Sequence, residues 1–482
     1  MNQRRTQTLN TSATGRTNRR GLRPLRLRRF LVWVLLGLLS QAPALAQTDG
    51  PAISPQTART LYLSEVQLTG ATRTPLATVY RHLDLVPGQP IDQTQLVDAV
   101  DRLRSRGLFK SVEFYTRPGE QRGHLILVLE VEEQGLDFRW AAGNTDLDGW
   151  YLVPAMLAYD NALGKGRLLD LQWRVGFRHT ALLLRYAQPT AGDGRDYWGT
   201  QVHFKSTDRP YFSDGAEYRH VVGTGGGSGV FGRRFGDHNL AEIGLIIESV
   251  DVAEVSTTHT SNGEGSYGEE VVVPTEDLPD PIRDVVGRDG RAILTLDWQH
   301  DTRAKLKRAG SPVSGIWGRV KGRFVAQDKY SHVGLQADLR AFKEAPGGVL
   351  AARMRGAWVG ESAAFYDRLY LGGMYSVRGF PTHSLSAPGG DTWLWSGSLE
   401  YRSRILGDNK GTKLAGLFFL DAGASGASDA DDPYVGVASS AGYGLRMRVW
   451  WLDWIGVDVG FPLTARPVDM RFQVNASIGW SF

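Results

Sequence analysis

The chain has 482 residues, with 55 Lys and Arg against 51 Asp and Glu, and no cysteine, which excludes disulfide frameworks, thiolate zinc sites and cysteine nucleophiles together. Its length allows two or three ordinary domains or one large barrel with an accessory domain. The formal net charge is only +4, and much of the excess is arginine before residue 30, so the basic balance belongs to a leader and defines no nucleic-acid-binding face.

That leader comes first. Arg19, Arg20, Arg23, Arg26, Arg28 and Arg29 precede the apolar run FLVWVLLGLL (30–39), and Ala44-Leu45-Ala46 supplies a small-x-small cleavage site. This is the layout of a secretory signal peptide over 1–46, followed by a linker over 47–59. A helical anchor needs about 18 or more apolar residues, and the run is shorter. The basic stretch is unusually long, which leaves open a start codon downstream of Met1.

Residues 60–134 read as a small mixed domain. LYLSEVQLTGA alternates, TPLATVYRHLDL and DQTQLVDAVDRLRSRGLF carry apolar residues at helical spacing, and SVEFYTR and HLILVLEVEE alternate again. The predicted order is strand, helix, helix, strand, strand. Asp92 or Thr94 caps the second helix, and Gly107 sits where that helix should stop.

From Gly135 onward, over 135–482, the period is two. In LLDLQWRVGFR, Leu169, Leu171, Trp173, Val175 and Phe177 point one way, and Asp170, Gln172, Arg174, Gly176 and Arg178 the other. The pattern recurs in segments 197–205, 349–358, 391–402, 443–449 and 454–463, and in the final MRFQVNASIGWSF. A soluble sandwich also alternates. Strands of about ten residues, short turns alternating with longer loops, and Trp and Tyr near strand ends select a membrane barrel instead. The fold class is mainly β: a sixteen-stranded transmembrane antiparallel β-barrel preceded by one small α+β domain. The Gly-rich GTGGGSG obscures the period between 209 and 240, and 254–290 and 361–390 read as loops at the end remote from the small domain.

Catalytic motifs are missing: there is no HExxH, P-loop or nucleophile elbow, and ten histidines are scattered without ligand spacing. Gly227-x-Gly229-x-x-Gly232 matches a dinucleotide fingerprint by letter but lies in strand texture with no helix after it. Asp429, Asp431 and Asp432 lack the glycine and distal glutamate of an EF-hand loop and read as a solvated acidic loop. The expectation is a non-enzyme with no cofactor and no metal.

What remains is YLGGMYSVRGFP (370–381), where Arg378 is flanked by Gly372, Gly373 and Gly379 with no nearby carboxylate in sequence. In KLAGLFFLDAGAS, Phe419, Asp421 and Gly423 share one strand face, opposite Leu414, Phe418 and Leu420. If the second set faces lipid, Asp421 faces the lumen, where a loop folded back into the barrel would bring it the planar fork of Arg378. The VRGF at 377–380, the FLDAG at 419–423 and the N-terminal module ending in LILVLEVEE resemble the bacterial surface antigen superfamily, which contains BamA/TamA-like outer-membrane insertases and two-partner secretion translocators.

The resemblance implies that 60–134 is a single polypeptide-transport-associated (POTRA) domain in the periplasm. It also implies that Val377, Arg378, Gly379 and Phe380 enter the lumen, where Arg378 meets Asp421 as a conformational latch. Assembly-type relatives carry several POTRA domains and translocators usually two, whereas this chain has room for one. The implied function is insertion of unfolded polypeptide clients into the outer-membrane bilayer, with accessory periplasmic proteins or lipoproteins as further partners and no role for nucleic acid. The alternatives are a two-partner-type translocator and a non-translocating anchor or pore. Trp480 and Phe482 close the last alternating segment as a C-terminal assembly signal of the kind carried by barrel substrates. The mature chain is expected to begin at Gln47. Mass spectrometry of outer-membrane fractions checks this, and an intact leader overturns it.

Overall fold

The computed structural model describes residues 61–482 apart from 106–107, 145–149, 163, 165, 177, 192–194, 214, 262–266, 305–310, 409–410, 428–435, 450–452 and 465–469. The leader, the linker, Gln47, Gly107, Phe177 and the Asp429, Asp431 and Asp432 cluster lie outside the described residues.

The N-terminal domain runs β1 (Leu61–Thr69), α1 (Leu76–Leu83), β2 (Pro90–Ile91), α2 (Gln93–Ser105), β3 (Phe109–Pro118) and β4 (His124–Glu133). It follows the order read from the sequence, with the two-residue β2 added. The sheet order is β2-β1-β4-β3, with β1 parallel to β4, so β3 is an edge strand. Leu96, Ala99, Val100 and Leu103 recur at the spacing of one helical face and are buried with Leu63, Val66, Leu127 and Leu129. Asp92 caps α2: its carboxylate accepts the Gln95 amide at 2.8 Å, and the Gln95 side chain accepts the Asp92 amide at 3.1 Å. Thr94 lies inside the helix.

The barrel begins with β5 (Leu136–Asn144), β6 (Trp150–Ala162), β7 (Arg167–Gly176), β8 (His179–Ala191), β9 (Asp196–Ser213), β10 (Ala216–Phe235) and β11 (Asn239–Ser261). β12 (Tyr267–Val273) and the short α3 (Asp280–Arg283) follow, then β13 (Gly287–Asp301), β14 (Gly315–Gln327), β15 (His332–Ala345) and β16 (Gly348–Val359). β17 (Trp393–Asp408), β18 (Gly411–Gly426), β19 (Ala438–Val449), β20 (Asp453–Pro462) and β21 (Gln473–Ile478) complete it. The sheet closes, and β11 pairs directly with β13 from Asn239↔His300 to Val252↔Gly287. β12 is inserted between β11 and β13 at the far end of β11, and because β11 and β13 also pair directly, sixteen of the seventeen described strands form the ring without it. Leu169, Leu171, Trp173 and Val175 are exposed on the outer face, as are Phe418 and Leu420, which is where lipid replaces water around such a barrel.

The Gly-rich segment 223–229, where the period is obscured, is part of one continuous 20-residue strand, β10, because pairing with β9 and β11 on both sides fixes a backbone that has few side chains to show a period. One reading is corrected. Segment 254–290 is no irregular loop: it holds the end of β11, β12 and α3. Leu278 and Ile282 pack against Tyr211, Val250, Val252, Phe365 and Tyr366, capping the end of the barrel remote from the N-terminal domain.

The N-terminal domain is tied to the end of β6 as well as through the chain. Glu133 accepts from the Thr72 hydroxyl (2.8 Å), the Arg73 amide (2.9 Å) and the Thr74 amide (2.6 Å) and hydroxyl (2.7 Å). From the barrel side, the buried Asn161 donates to Thr74 Oγ1 at 2.6 Å and to the Leu108 carbonyl at 3.3 Å, and Arg73 reaches the Tyr159 hydroxyl. Burial opposes the charge on Glu133, but these donors, Thr74 foremost, hold its carboxyl well below the usual carboxylate range. A carboxyl depressed in the folded state contributes fully above the ordinary carboxylate pKa and is lost as pH falls below it. Protection of the Arg73 and Thr74 amides, measured by hydrogen exchange corrected for intrinsic rate, should therefore fall on acidification. In Glu133→Gln it should already be low at neutral pH, and wild-type protection in that variant would refute the linkage.

Candidate functional site

Between β16 and β17 the chain turns back into the barrel. Leu371, Val377, Phe380 and Leu385 bury together with Ala438 of β19, and main-chain bonds from Gly373 to the Phe380 carbonyl (3.0 Å) and from Leu385 to the Leu371 carbonyl (3.1 Å) fold the segment on itself. The loop is thus a small packed body inside the lumen and not a mobile surface excursion.

Arg378 sits where this body meets the wall, with its side chain 2 % exposed. Its Nε and Nη2 donate to the two oxygens of Asp421, each at 2.8 Å, and its own amide donates to Asp421 Oδ2 at 3.1 Å. Nη1 donates to Glu400 Oε1 at 2.6 Å, Nη2 to Ser398 Oγ at 2.9 Å, and Asp458 lies 3.6 Å away. The guanidinium carbon is 3.6 Å from the centre of the Phe419 ring, so the cation is stacked as well as paired. Glu400 also takes Arg402 at 2.7 Å, and Asp458 takes Arg446 at 2.7 and 2.8 Å. Three guanidinium groups therefore face three carboxylates, which is the condition for burying such charges without a large desolvation loss.

Strand alternation supplies the wall. Because Phe418 and Leu420 point outward, Phe419 and Asp421 of β18 point in; on β17, Ser398, Glu400 and Arg402 share the inner face. The backbone at Arg378 and Gly379 touches β20 and β19 themselves: a Cβ on Gly460 of β20 would come within 2.7 Å of the Arg378 carbonyl oxygen, and one on Gly379 within 2.5 Å of the Cβ of Ser440 on β19. Gly423 keeps the wall clear where Leu371 passes. From β21, Asn475 donates to the Arg378 carbonyl at 3.0 Å. Five consecutive staves, β17 to β21, thus converge on two adjacent loop residues, Arg378 and Gly379.

Trp480 and Phe482 do not extend β21 as the alternation predicts. The strand ends at Ile478, and Gly479, at φ 88°, turns the chain inward. Phe482 is buried against Phe342 and Ala351, its carbonyl accepts from Arg402 at 2.9 Å, and the Arg402 guanidinium lies 4.7 Å from the ring centres of both Trp480 and Phe482. Ser481 donates to Glu400 at 2.9 Å, which joins this segment to the ion cluster.

A second anchor has no counterpart in the sequence reading. Asp367, in the same loop, accepts from Arg291 at 2.5 Å and Arg323 at 2.6 Å; Arg291 also holds Glu248 at 2.7 Å, which meets His203 at 2.8 Å. No motif marks Asp367. Glu400, Arg402 and Asp458, by contrast, fall on the polar face of alternating segments and were available to a reading that followed each polar face to its charges. The Gly227-x-Gly229-x-x-Gly232 letters lie within β10.

Apolar staves outside, an ion-paired loop inside and an α+β domain at one end define the class of POTRA-bearing membrane barrels that carry a loop in the lumen. The chain belongs to the Omp85 superfamily: the profile of the Omp85 superfamily domain matches residues 161–482, and the POTRA profile, described as a surface antigen variable number repeat, matches 61–134. It is similar to the outer membrane protein assembly factor BamA of Nitratidesulfovibrio vulgaris, with 20% identity over 334 residues, or 68% of this chain; the match spans only 38% of that relative's length. Among solved structures it resembles BamA from Haemophilus ducreyi lacking POTRA domains 1–3, with TM-score 0.64 and 18% identity over 86% of this chain and 84% of that one. It also resembles CdiB from Acinetobacter baumannii, with TM-score 0.56 and 14% identity over 87% and 74% of the respective chains. At these identities the structural likenesses speak to the fold.

Arg378→Ala strands Asp421 and Glu400 without their shared cation, an expected loss of about 3–5 kcal/mol. Asp421→Ala should cost less, since Glu400 and Asp458 still surround the arginine, and the double variant should be little worse than Arg378→Ala alone. The temperature at which the barrel loses its heat-modifiable migration reads all four members of the cycle. Strictly additive shifts would refute the coupling.

Proposed function

We propose that this chain is an outer-membrane insertase or assembly factor that accepts unfolded polypeptides at a periplasmic POTRA domain and passes them into the bilayer through the side of the barrel. The observation that carries this reading is where the barrel is filled and where it is thin. Its lumen is occupied by the anchored loop and by residues 480–482, while the stave that closes the ring, β21, has only six residues, the fewest of the sixteen. A strand with few ladder bonds is the least costly to exchange for a client strand. The free edge of β3 offers an unpaired backbone for earlier capture by β-augmentation, which is indifferent to client sequence. In this reading the loop around Arg378 is a latch that holds the resting barrel, and accessory periplasmic proteins or lipoproteins are further partners.

The competing reading is export of a dedicated partner along the lumen, and a locked seam separates the two. The chain has no cysteine, so one introduced in β5 and one in β21 form a clean reversible lock. With the seam oxidised, outer-membrane proteomics after depletion of the wild-type chain should show loss of other barrels, restored by reductant. Undiminished assembly behind a locked seam would overturn the proposal in favour of translocation.

A further inference from the structure

At the end of the barrel that carries the N-terminal domain, the turn 236–238 joins β10 to β11, and β13 ends beside it at Asp301. Asn239 of β11 pairs with His300 of β13, and the ladder runs one bond further, from the Asp301 amide to the His238 carbonyl at 2.9 Å. This register brings together two histidines that lie far apart in sequence, which is why no ligand spacing announces them: their ring centres are 6.1 Å apart, with the planes at 58°. Both rings are held by the residue opposite. His238 Nδ1 stands 3.0 Å from the Asp301 carbonyl oxygen, and His300 Nδ1 stands 3.0 Å from the Asn239 side-chain oxygen. Trp298 also stacks on the His300 ring, with planes at 22°.

A carbonyl or amide oxygen only accepts, so each Nδ1 carries the ring proton and each Nε2 keeps its lone pair. An imidazole whose other nitrogen donates to such an oxygen is oriented as metal-ligating histidines are. Neither Nε2 makes a hydrogen bond among the described residues. With metal–nitrogen bonds of about 2.0–2.1 Å, two imidazoles on one ion hold their ring centres about 4.5–6.5 Å apart, depending on the angle at the metal, and the observed pair falls inside that span. The Asp301 carboxylate is taken by Arg303, through two contacts of 2.9 Å, and supplies no third ligand. No group of three histidine or acidic residues gathers among the described residues, so water completes the coordination. Two imidazole nitrogens with water oxygens suit a tetragonal ion, and Cu²⁺ is both tetragonal and the tightest binder of the divalent first-row series. We infer that His238 and His300 form a two-imidazole site for a divalent transition-metal ion, Cu²⁺ above the others, and that the bound ion staples the β10–β11 turn to the end of β13.

Copper(II) sulfate is the probe, titrated into the full chain, with no added histidine tag, in detergent micelles. One equivalent is expected to bind, with an electron paramagnetic resonance spectrum split by two coordinated nitrogens. His238→Ala and His300→Ala each turn a chelate into a single ligand and should weaken binding by about a hundredfold. Asn239→Ala keeps both ligands and removes only the bond that orients His300, for a loss of about tenfold. His259→Ala, near the other end of β11, should bind as wild type. Saturating Cu²⁺ should raise the temperature at which the barrel loses its heat-modifiable migration in the wild type and not in the two ligand variants, whose metal-free migration establishes that they are folded. Absence of binding at one equivalent, a spectrum with a single coordinated nitrogen, undiminished affinity in both ligand variants, or an equal loss in His259→Ala would overturn the site.

Discussion

A guanidinium cannot be removed from water unless its charge and its donors are met, and Arg378 is removed almost completely. That requirement organises the barrel around it. Asp421 has to face inward, which fixes the register of β18; Glu400 and Asp458 have to be offset by Arg402 and Arg446 so that the cluster stays neutral. Glycine has to stand at 460 so that the loop backbone reaches the wall. The loop and five staves are therefore one electrostatic unit, and the apolar packing of Leu371, Val377 and Phe380 is completed only when that unit is assembled.

The two anchors of the loop have opposite polarity. At Arg378 the loop brings the cation and the wall the carboxylates, whereas at Asp367 the loop brings the carboxylate and Arg291 and Arg323 lie on the wall. The loop can thus be seated in one sense only: exchanging the two ends would set like charges against each other at both places. A buried ion pair is weak evidence of raw stability, and fixing a register is the best-attested use of such pairs.

Most of the architecture was legible because lipid outside and water inside impose a two-residue period that a sequence cannot hide. The Arg378–Asp421 encounter could be posed from the sequence for the same reason, since Phe418 and Leu420 settle which way Asp421 points. Legibility failed where that constraint lapses. β10 carries glycine where a period would be read, and Asp367 sits in a loop with no period to follow. The turn at Gly479 is a property of one backbone angle, invisible in an alternation that runs on through Trp480 and Phe482 by letter. The Asn161 contact joins residues 87 positions apart, and nothing local announces it.

That contact has a mechanical meaning. The N-terminal domain is continuous with β5 through Gln134 and is also gripped at the end of β6 by Asn161 and, through Arg73, by Tyr159. A body held at a single point by a tether can swivel without exerting torque on what it hangs from. Held at two points, it cannot turn about either one without straining the other, and the second point lies at the end of β6, in the hairpin whose other strand, β5, borders the shortest stave of the ring.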